Sequence, residues 1–198
     1  MQSEIELITA CLRSNRKAQK RLFEKFAPEM KQICLRYCNN QFIAEEALQE
    51  GFMSVFNHLG QLKDPTKLRA WIKQIMLNTS LMKIRKKDPL VFYSDELLDK
   101  NQKTELFTDE PMQYNKEDLK QILNGMPKGY KIIFNLYAFE HYSHKQIAET
   151  LNISENTSKS QLSRARNYLR EKLRTLKLDY TSELTGLIGA IVTIIGMR

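Results

Sequence analysis

The sequence is poor in residues that interrupt helices, with only 7 glycines and 5 prolines among 198 residues. Leucine, isoleucine, lysine, glutamate and glutamine are plentiful, and this composition is typical of helical proteins. We therefore predict an all-α fold. The length allows one medium domain or two small ones.

Cysteine is also scarce, which argues against a disulfide-stapled extracellular protein. The three cysteines Cys11, Cys34 and Cys38 leave one thiol without a disulfide partner and contain no C-x-x-C pair. We predict reduced thiols in a cytoplasmic protein. Cys34 and Cys38 lie one helical turn apart, but the three scattered histidines supply no nearby ligand pair, so no metal site is expected.

Long hydrophobic runs are missing from most of the chain, and the N-terminus lacks the apolar core of a signal peptide. The one apolar stretch follows Tyr180 and contains about a dozen apolar residues, whereas a helix needs roughly 20 to cross a bilayer. Three roles remain open for this tail, residues 179–198: it packs on a domain, touches a membrane surface, or binds a partner. A nucleophile–base pair and a phosphate-binding loop are likewise missing, so we predict no catalysis, no cofactor and no small-molecule substrate.

Charge is unevenly distributed along a chain whose net charge is +8. A basic balance favours a polyanionic partner without distinguishing DNA, RNA and membrane surface. Acidic residues concentrate in residues 89–114, which lack helical periodicity and contain Pro89 and Pro111. We predict that this acidic segment links two basic helical domains, residues 1–88 and 115–178.

The second domain contains the pattern of a helix-turn-helix. Ser143 and Gln146 are spaced as a capping box, Asn152 suits a left-handed turn, and Ser154 can cap a second helix. The apolar stripe of that second helix is Ser158, Leu162, Ala165, Leu169 and Leu173. Its other faces carry cations and hydroxyl or amide groups, which suit contacts with phosphates and base edges. An ordinary helical hairpin with a solvated basic face is the alternative.

The first domain contains a compact acidic and amide surface. Glu46, Gln49, Glu50 and Met53 fall at helical spacings of three and four, so they share one face. The face is either solvated near a helix N-terminus, where the helix dipole favours acids, or a docking surface for a basic protein. We also expect Pro28 to begin a new helix.

A second long helix of the first domain is predicted over LRAWIKQIMLNTSLMKIRKK. Its buried side is predicted to be Leu68, Trp71, Ile72, Ile75, Thr79 and Met82. A cationic edge and tail are expected at its other residues, which are Lys73, Asn78, Lys83, Arg85, Lys86 and Lys87.

Three stretches resemble one family. AEEALQEGF, residues 44–52, resembles the core-binding motif of bacterial sigma factors, and LRAWIKQIMLNTSLMKIRKK resembles their minus-10 promoter helix. Residues 123–173 resemble their minus-35 binding domain. The order of these stretches and the short chain are similar to those of an extracytoplasmic-function (ECF) sigma factor of the sigma-70 family.

The resemblance implies partners and residue roles. Core RNA polymerase would be bound by Glu46, Gln49 and Glu50. The minus-10 DNA contacts would be Asn78, Lys83, Arg85, Lys86 and Lys87. The minus-35 DNA contacts would be Thr157, Lys159, Ser160, Gln161, Arg164 and Arg166. Anti-sigma factors are frequent in the family, so one is a further candidate partner.

One departure from the family pattern affects DNA recognition. The family commonly has Val-Lys-Ser-Arg in the recognition helix, whereas this chain has Ser158-Lys159-Ser160-Gln161. Loss of the arginine should weaken phosphate contact or change base preference. Two alternative functions remain: a stand-alone helix-turn-helix regulator, which would bind duplex without polymerase, and an adaptor that binds only proteins, which would show no salt-sensitive DNA binding.

Overall fold

The computed structural model describes residues 4–38, 40–88, 91–92 and 116–175, and these residues confirm the predicted all-α fold. They belong to two compact units, Met1–Pro89 and Leu90–Arg198. No described helix is long and apolar enough to cross a membrane. The C-terminal tail and most of the predicted linker lie outside the described residues.

The α-helices of the described residues are α1 Glu4–Leu12, α2 Arg16–Cys38, α3 Gln41–His58, α4 Leu68–Lys87, α5 Lys116–Gly125, α6 Lys128–Ala138, α7 His144–Leu151 and α8 Glu155–Thr175.

The first unit is built on α2, α3 and α4, which pack against one another, with α1 on α2. Asn40 caps α3 because its side-chain oxygen accepts a hydrogen bond from the Ile43 backbone N–H at 3.1 Å. Asp64 caps the short 3-10 turn Pro65–Lys67 in the same way before α4 begins. Each cap satisfies a backbone donor that the helix itself leaves unpaired.

Pro28 lies inside α2, so the prediction that it begins a new helix was wrong. A proline in a helix interior removes one backbone hydrogen bond and crowds the preceding turn. Here Phe26 and Met30, on either side of Pro28, are buried. Their burial stabilises the continuous helix, since a fully buried large apolar side chain contributes about 1.5–3 kcal/mol.

The buried face of α4 is wider than the sequence predicted, because α4 packs against both α2 and α3. Met82, predicted to be in the core, is 69% exposed. Met76 packs against Gly51 of α3 so closely that a Cβ on Gly51 would collide with its sulfur. Glycine at this position therefore allows the two helices to approach. The buried residues of α4 are Leu68, Ile72, Met76, Leu77, Ser80, Leu81 and Ile84.

The second unit is organised around α8, which packs against α5, α6 and α7. Its predicted apolar stripe is confirmed, since all five members are buried: Ser158, Leu162, Ala165, Leu169 and Leu173. Val91 and Phe92 are also buried within this unit. The first described residues of the predicted linker are thus part of a core.

Lys131 of α6 is an unusual member of this core, with only 7% of its surface exposed. Its Nζ donates a hydrogen bond to Asn124 Oδ1 at 3.1 Å. Burial lowers the pKa of Lys131 to about 8 because the charged form loses hydration.

Replacement of this lysine should stabilise the protein near neutral pH. The pKa of Lys131 is lower in the folded protein than in the unfolded chain, so its unfavourable contribution is complete below pH 8 and fades as pH rises toward 10.5. We expect Lys131→Met to raise the melting temperature at pH 7, with a gain that shrinks by pH 10. Exposed Lys128 of α6 provides the control Lys128→Met. A gain that does not change with pH would contradict this explanation.

Candidate functional site

The acidic surface of the first unit lies on the outer side of α3. Leu48, Phe52 and Val55 turn inward and are buried. Helical periodicity therefore directs Glu46, Gln49 and Glu50 outward. The side chains of Glu46 and Glu50 are 43% and 59% exposed, and Gln49 is exposed. Both carboxylates remain open to a partner.

Two exposed apolar side chains flank this acidic surface. Phe42 is 68% exposed one turn before Glu46, and Met53 is 65% exposed one turn after Gln49. Exposed large apolar residues are common singly, and these two lie at opposite ends of the acidic surface. The sequence analysis missed Phe42, although its spacing of four residues from Glu46 places it on the same face.

Lys83 of α4 joins the acidic surface instead of a DNA-facing one. Its Nζ donates hydrogen bonds to Glu50 Oε1 at 2.7 Å and Glu46 Oε2 at 3.2 Å. The hydrogen bond to Glu50 is the largest cause of a raised pKa for Lys83, so the ammonium stays charged. The side chain is only 18% exposed and is engaged by two carboxylates, which disfavours a direct contact with minus-10 DNA. That predicted contact stays a prediction.

The other predicted minus-10 residues remain available on the surface of α4. Asn78, Lys86 and Lys87 are exposed and Arg85 is half-buried. Asn78 Oδ1 accepts a hydrogen bond from Gln74 at 3.0 Å. Asn78 and Arg85 are seven residues apart and share one side of the helix, whereas Lys83 lies on another side. Their role in DNA binding stays a prediction.

The helix-turn-helix of the second unit has the predicted local geometry. Ser143 and Gln146 form a reciprocal capping box at the start of α7. Asn152 adopts the left-handed conformation, with φ 52° and ψ 50°, immediately after α7. Ser154 Oγ accepts a hydrogen bond from the Thr157 backbone N–H at 2.9 Å and so caps α8. These contacts fix the direction in which α8 leaves the turn.

A stack of side chains holds α6, α7 and α8 together. The His144 ring stacks on Tyr137 with centroids 5.4 Å apart, and the Arg166 guanidinium lies 5.4 Å from the Tyr137 centroid. His144 Nδ1 also lies 2.9 Å from Ser158 Oγ. Burial, followed by the charges of Lys159 and Arg166, lowers the pKa of His144. The neutral imidazole is therefore favoured, and Arg166 has a packing role in the free protein.

The predicted minus-35 residues divide into three groups by exposure. Lys159 and Ser160 are exposed at the start of α8, and Arg164 and Arg166 are half-buried. One guanidinium nitrogen of each arginine, Nη1 of Arg164 and Nε of Arg166, is buried without a hydrogen-bond partner among the described residues. Thr157 and Gln161 are only 7% and 2% exposed.

Burial corrects the predicted direct DNA contacts of Thr157 and Gln161. The Thr157 hydroxyl lies 2.8 Å from Ser154 Oγ and belongs to the cap of α8. Gln161 Nε2 donates a hydrogen bond to the Phe92 carbonyl oxygen at 3.2 Å. That segment passes Gly129, where a Cβ would lie 2.5 Å from the Val91 carbonyl oxygen. Both side chains thus support the fold of the second unit.

Two family models match this chain, one in each of its two units. The model described as Sigma-70 region 2 matches residues 22–89, and the model described as Sigma-70, region 4 matches residues 116–169. Together they cover well over half of the chain. The chain belongs to the sigma-70 family. The acidic surface and α4 of this sigma factor lie in region 2, and its helix-turn-helix lies in region 4.

Relatives place the sigma factor in the extracytoplasmic-function group. It is 26% identical over 149 residues to the ECF RNA polymerase sigma factor SigM of Bacillus subtilis, covering 75% of this chain and 91% of SigM. It is 29% identical over 153 residues to the RNA polymerase sigma factor SigZ of the same organism, covering 77% of this chain and 85% of SigZ.

A solved structure similar to this sigma factor is RpoE in complex with the anti-sigma factor NepR from Bartonella quintana. The identity is 24% and the TM-score is 0.48, over 81% of this chain and 98% of that one. CnrH in complex with the cytosolic domain of CnrY matches with 18% identity and a TM-score of 0.46, over 88% of this chain and 99% of that one.

Gln161 of α8 is buried whereas Lys159 is exposed, so we predict opposite effects when each is replaced by alanine. Gln161→Ala removes a buried donor and should lower the free energy of unfolding by about 1–3 kcal/mol. It should leave promoter affinity of the assembled polymerase unchanged within about twofold. Lys159→Ala should leave the free energy of unfolding nearly unchanged and should weaken promoter affinity, because Lys159 is exposed. Urea unfolding and duplex titration separate these effects. A changed sequence preference in the Gln161 variant, with normal stability, would restore the direct-contact hypothesis.

Proposed function

We propose that this sigma factor divides its work between two oppositely charged surfaces. Glu46, Gln49 and Glu50 in region 2 bind core RNA polymerase, and the exposed cations of α8 in region 4 bind the minus-35 promoter duplex. The observation that carries this division is that the acidic surface and the helix-turn-helix belong to different compact units. The chain thereby contributes binding and not a catalytic step to transcription initiation, and it acts in the cytoplasm.

The acidic surface suits a partner with basic side chains. Two exposed carboxylates one helical turn apart present several acceptor oxygens, and carboxylates form their strongest hydrogen bonds with arginine and lysine. Phe42 and Met53 add apolar area at the two ends of this surface. Electrostatic complementarity would guide docking, and apolar contact would stabilise the bound state.

The minus-10 surface is proposed to be smaller than the sequence suggested. Asn78 and Arg85 share one side of α4, and Lys86 and Lys87 extend the cationic end. Asn78 provides both amide donors and an acceptor, a combination suited to base edges, whereas the three cations suit phosphates. Lys83 is excluded from this set because it pairs with Glu46 and Glu50.

Region 4 would bind DNA through the exposed beginning of α8. Lys159 and Ser160 lie in the first two turns, the part of a recognition helix that contacts base edges in the major groove. Arg164 lies further along α8 and is half-buried. It is proposed to contact a phosphate, while Lys159 and Ser160 are proposed to face the groove.

Neutralising the acidic surface should prevent polymerase binding without unfolding the protein. We expect Glu46→Gln with Glu50→Gln to weaken affinity for core polymerase by at least tenfold, because two charge-assisted contacts are lost. The yield of run-off transcripts should fall in the same double variant. Glu45→Gln is the matched control, since Glu45 is on the same helix but lies outside the acidic surface and pairs with Lys31 of α2.

Run-off transcription with purified core polymerase also separates the proposal from its alternatives. Promoter-specific transcripts should appear only when the chain is added. A stand-alone regulator would bind duplex without polymerase, and an adaptor that binds only proteins would show no salt-sensitive DNA binding. Full polymerase affinity in the Glu46/Glu50 double variant would contradict the role of the acidic surface.

The cations of α8 should determine how strongly promoter binding depends on salt. Each phosphate contact adds about one to the slope of log affinity against log salt concentration. We expect Lys159→Ala and Arg164→Ala each to reduce that slope by up to about one in the assembled polymerase, measured on a duplex selected from a random pool. Lys128→Ala on α6 is the control. A slope unchanged by both α8 variants would remove these residues from the DNA surface.

A further inference from the structure

Lys83 lies beneath the acidic surface and not beside it. Its side chain is 18% exposed, whereas those of Glu46 and Glu50 are 43% and 59% exposed. Lys83 is therefore less accessible to a partner than the two carboxylates that it joins. A partner would approach the same carboxylates from the solvent side.

The geometry of this bridge restricts two flexible acids at once. Glu46 and Glu50 lie one turn apart on α3, where like charges repel each other. A glutamate also has several rotamers, and fixing them on binding reduces affinity. Lys83 Nζ is within 3.2 Å of one oxygen from each carboxylate, so one cation both offsets the repulsion and sets the separation of the two groups.

The bridge leaves acceptor capacity for a partner. An ionised carboxylate offers about four lone-pair positions, and Lys83 takes one from each acid. Close packing of α3 on α4 at Gly51 and Met76 holds the two helices in the register that this bridge requires. Both carboxylates thus keep oxygen lone pairs for a partner while they are paired with Lys83.

We propose that Lys83 is a positioning residue for polymerase binding: it acts through Glu46 and Glu50, which it holds as a preset pair of acceptors for a basic protein segment. This inference rests on the proposed role of the acidic surface. It assigns Lys83 to the protein interface, although Lys83 is only three residues from the cationic end Lys86–Lys87 that is proposed to contact DNA.

The test compares Lys83→Met, which keeps the apolar stem, with Lys83→Arg, which keeps the charge. Titration of the full-length chain with core polymerase should show a two- to tenfold loss of affinity for Lys83→Met, the size expected when two side chains are no longer pre-ordered. Lys83→Arg should recover most of that loss. Lys20→Met, at an exposed position of α2, should leave polymerase affinity unchanged.

A double-mutant cycle distinguishes positioning from a general loss of packing. In the background of Glu46→Gln with Glu50→Gln, Lys83→Met should cause no further loss of affinity, even if it lowers the melting temperature. An equal loss in both backgrounds would overturn the proposal. So would unchanged or tighter polymerase binding by Lys83→Met, and weaker promoter binding at saturating polymerase would then return Lys83 to the DNA surface.

The outcome also separates this inference from the function on which it rests. If the Glu46/Glu50 double variant binds polymerase normally, the proposed acidic interface is wrong and the role of Lys83 is wrong with it. If the double variant binds weakly but Lys83→Met binds normally, the interface stands and only the positioning role is overturned.

Discussion

The burial of one apolar face per helix determines which charged side chains this protein can offer to partners. In α3, burial of Leu48 and Phe52 turns Glu46 and Glu50 outward. In α8, burial of the stripe that includes Leu162 leaves the cations on the remaining faces. Because side-chain direction advances by a fixed angle per residue, the core and the binding surfaces are specified together. A change that rotates either helix would therefore disturb packing and recognition at once.

Local signals predicted a large part of this arrangement from the sequence. Ser143, Asn152 and Ser154 act through contacts within a few residues, and the structure shows each one in its predicted capping or turn role. The apolar stripe of α8 was equally predictable, because its members recur at helical spacings of three and four. Charge and periodicity predicted two helical domains, whereas the order of the two sigma regions was implied by the family resemblance and is confirmed by the family models.

The errors arose where a side chain is used by a distant segment. Met82 was assigned to the core because the sequence does not show that α4 is covered by two neighbouring helices, which rotates and widens its buried face. Lys83 was assigned to DNA by the family resemblance, yet its partners in the structure are 33 and 37 residues away. Gln161 is held by Phe92, 69 residues away. Periodicity describes the face on which a residue lies, but it does not identify the tertiary partner.

The burial of Gln161 changes how promoter specificity is distributed along α8. The sigma-factor resemblance places an arginine at this position, where it could reach DNA, whereas the shorter amide is directed into the unit and supports the Phe92 backbone. A buried amide whose hydrogen bond is removed leaves an unsatisfied carbonyl, so this position is constrained by folding more than by promoter sequence. If Lys159 and Ser160 contact DNA as proposed, base selection by region 4 would rely on the exposed first turns of α8, where neither side chain is part of the core. Promoter preference would then change more readily at those two positions than at Gln161.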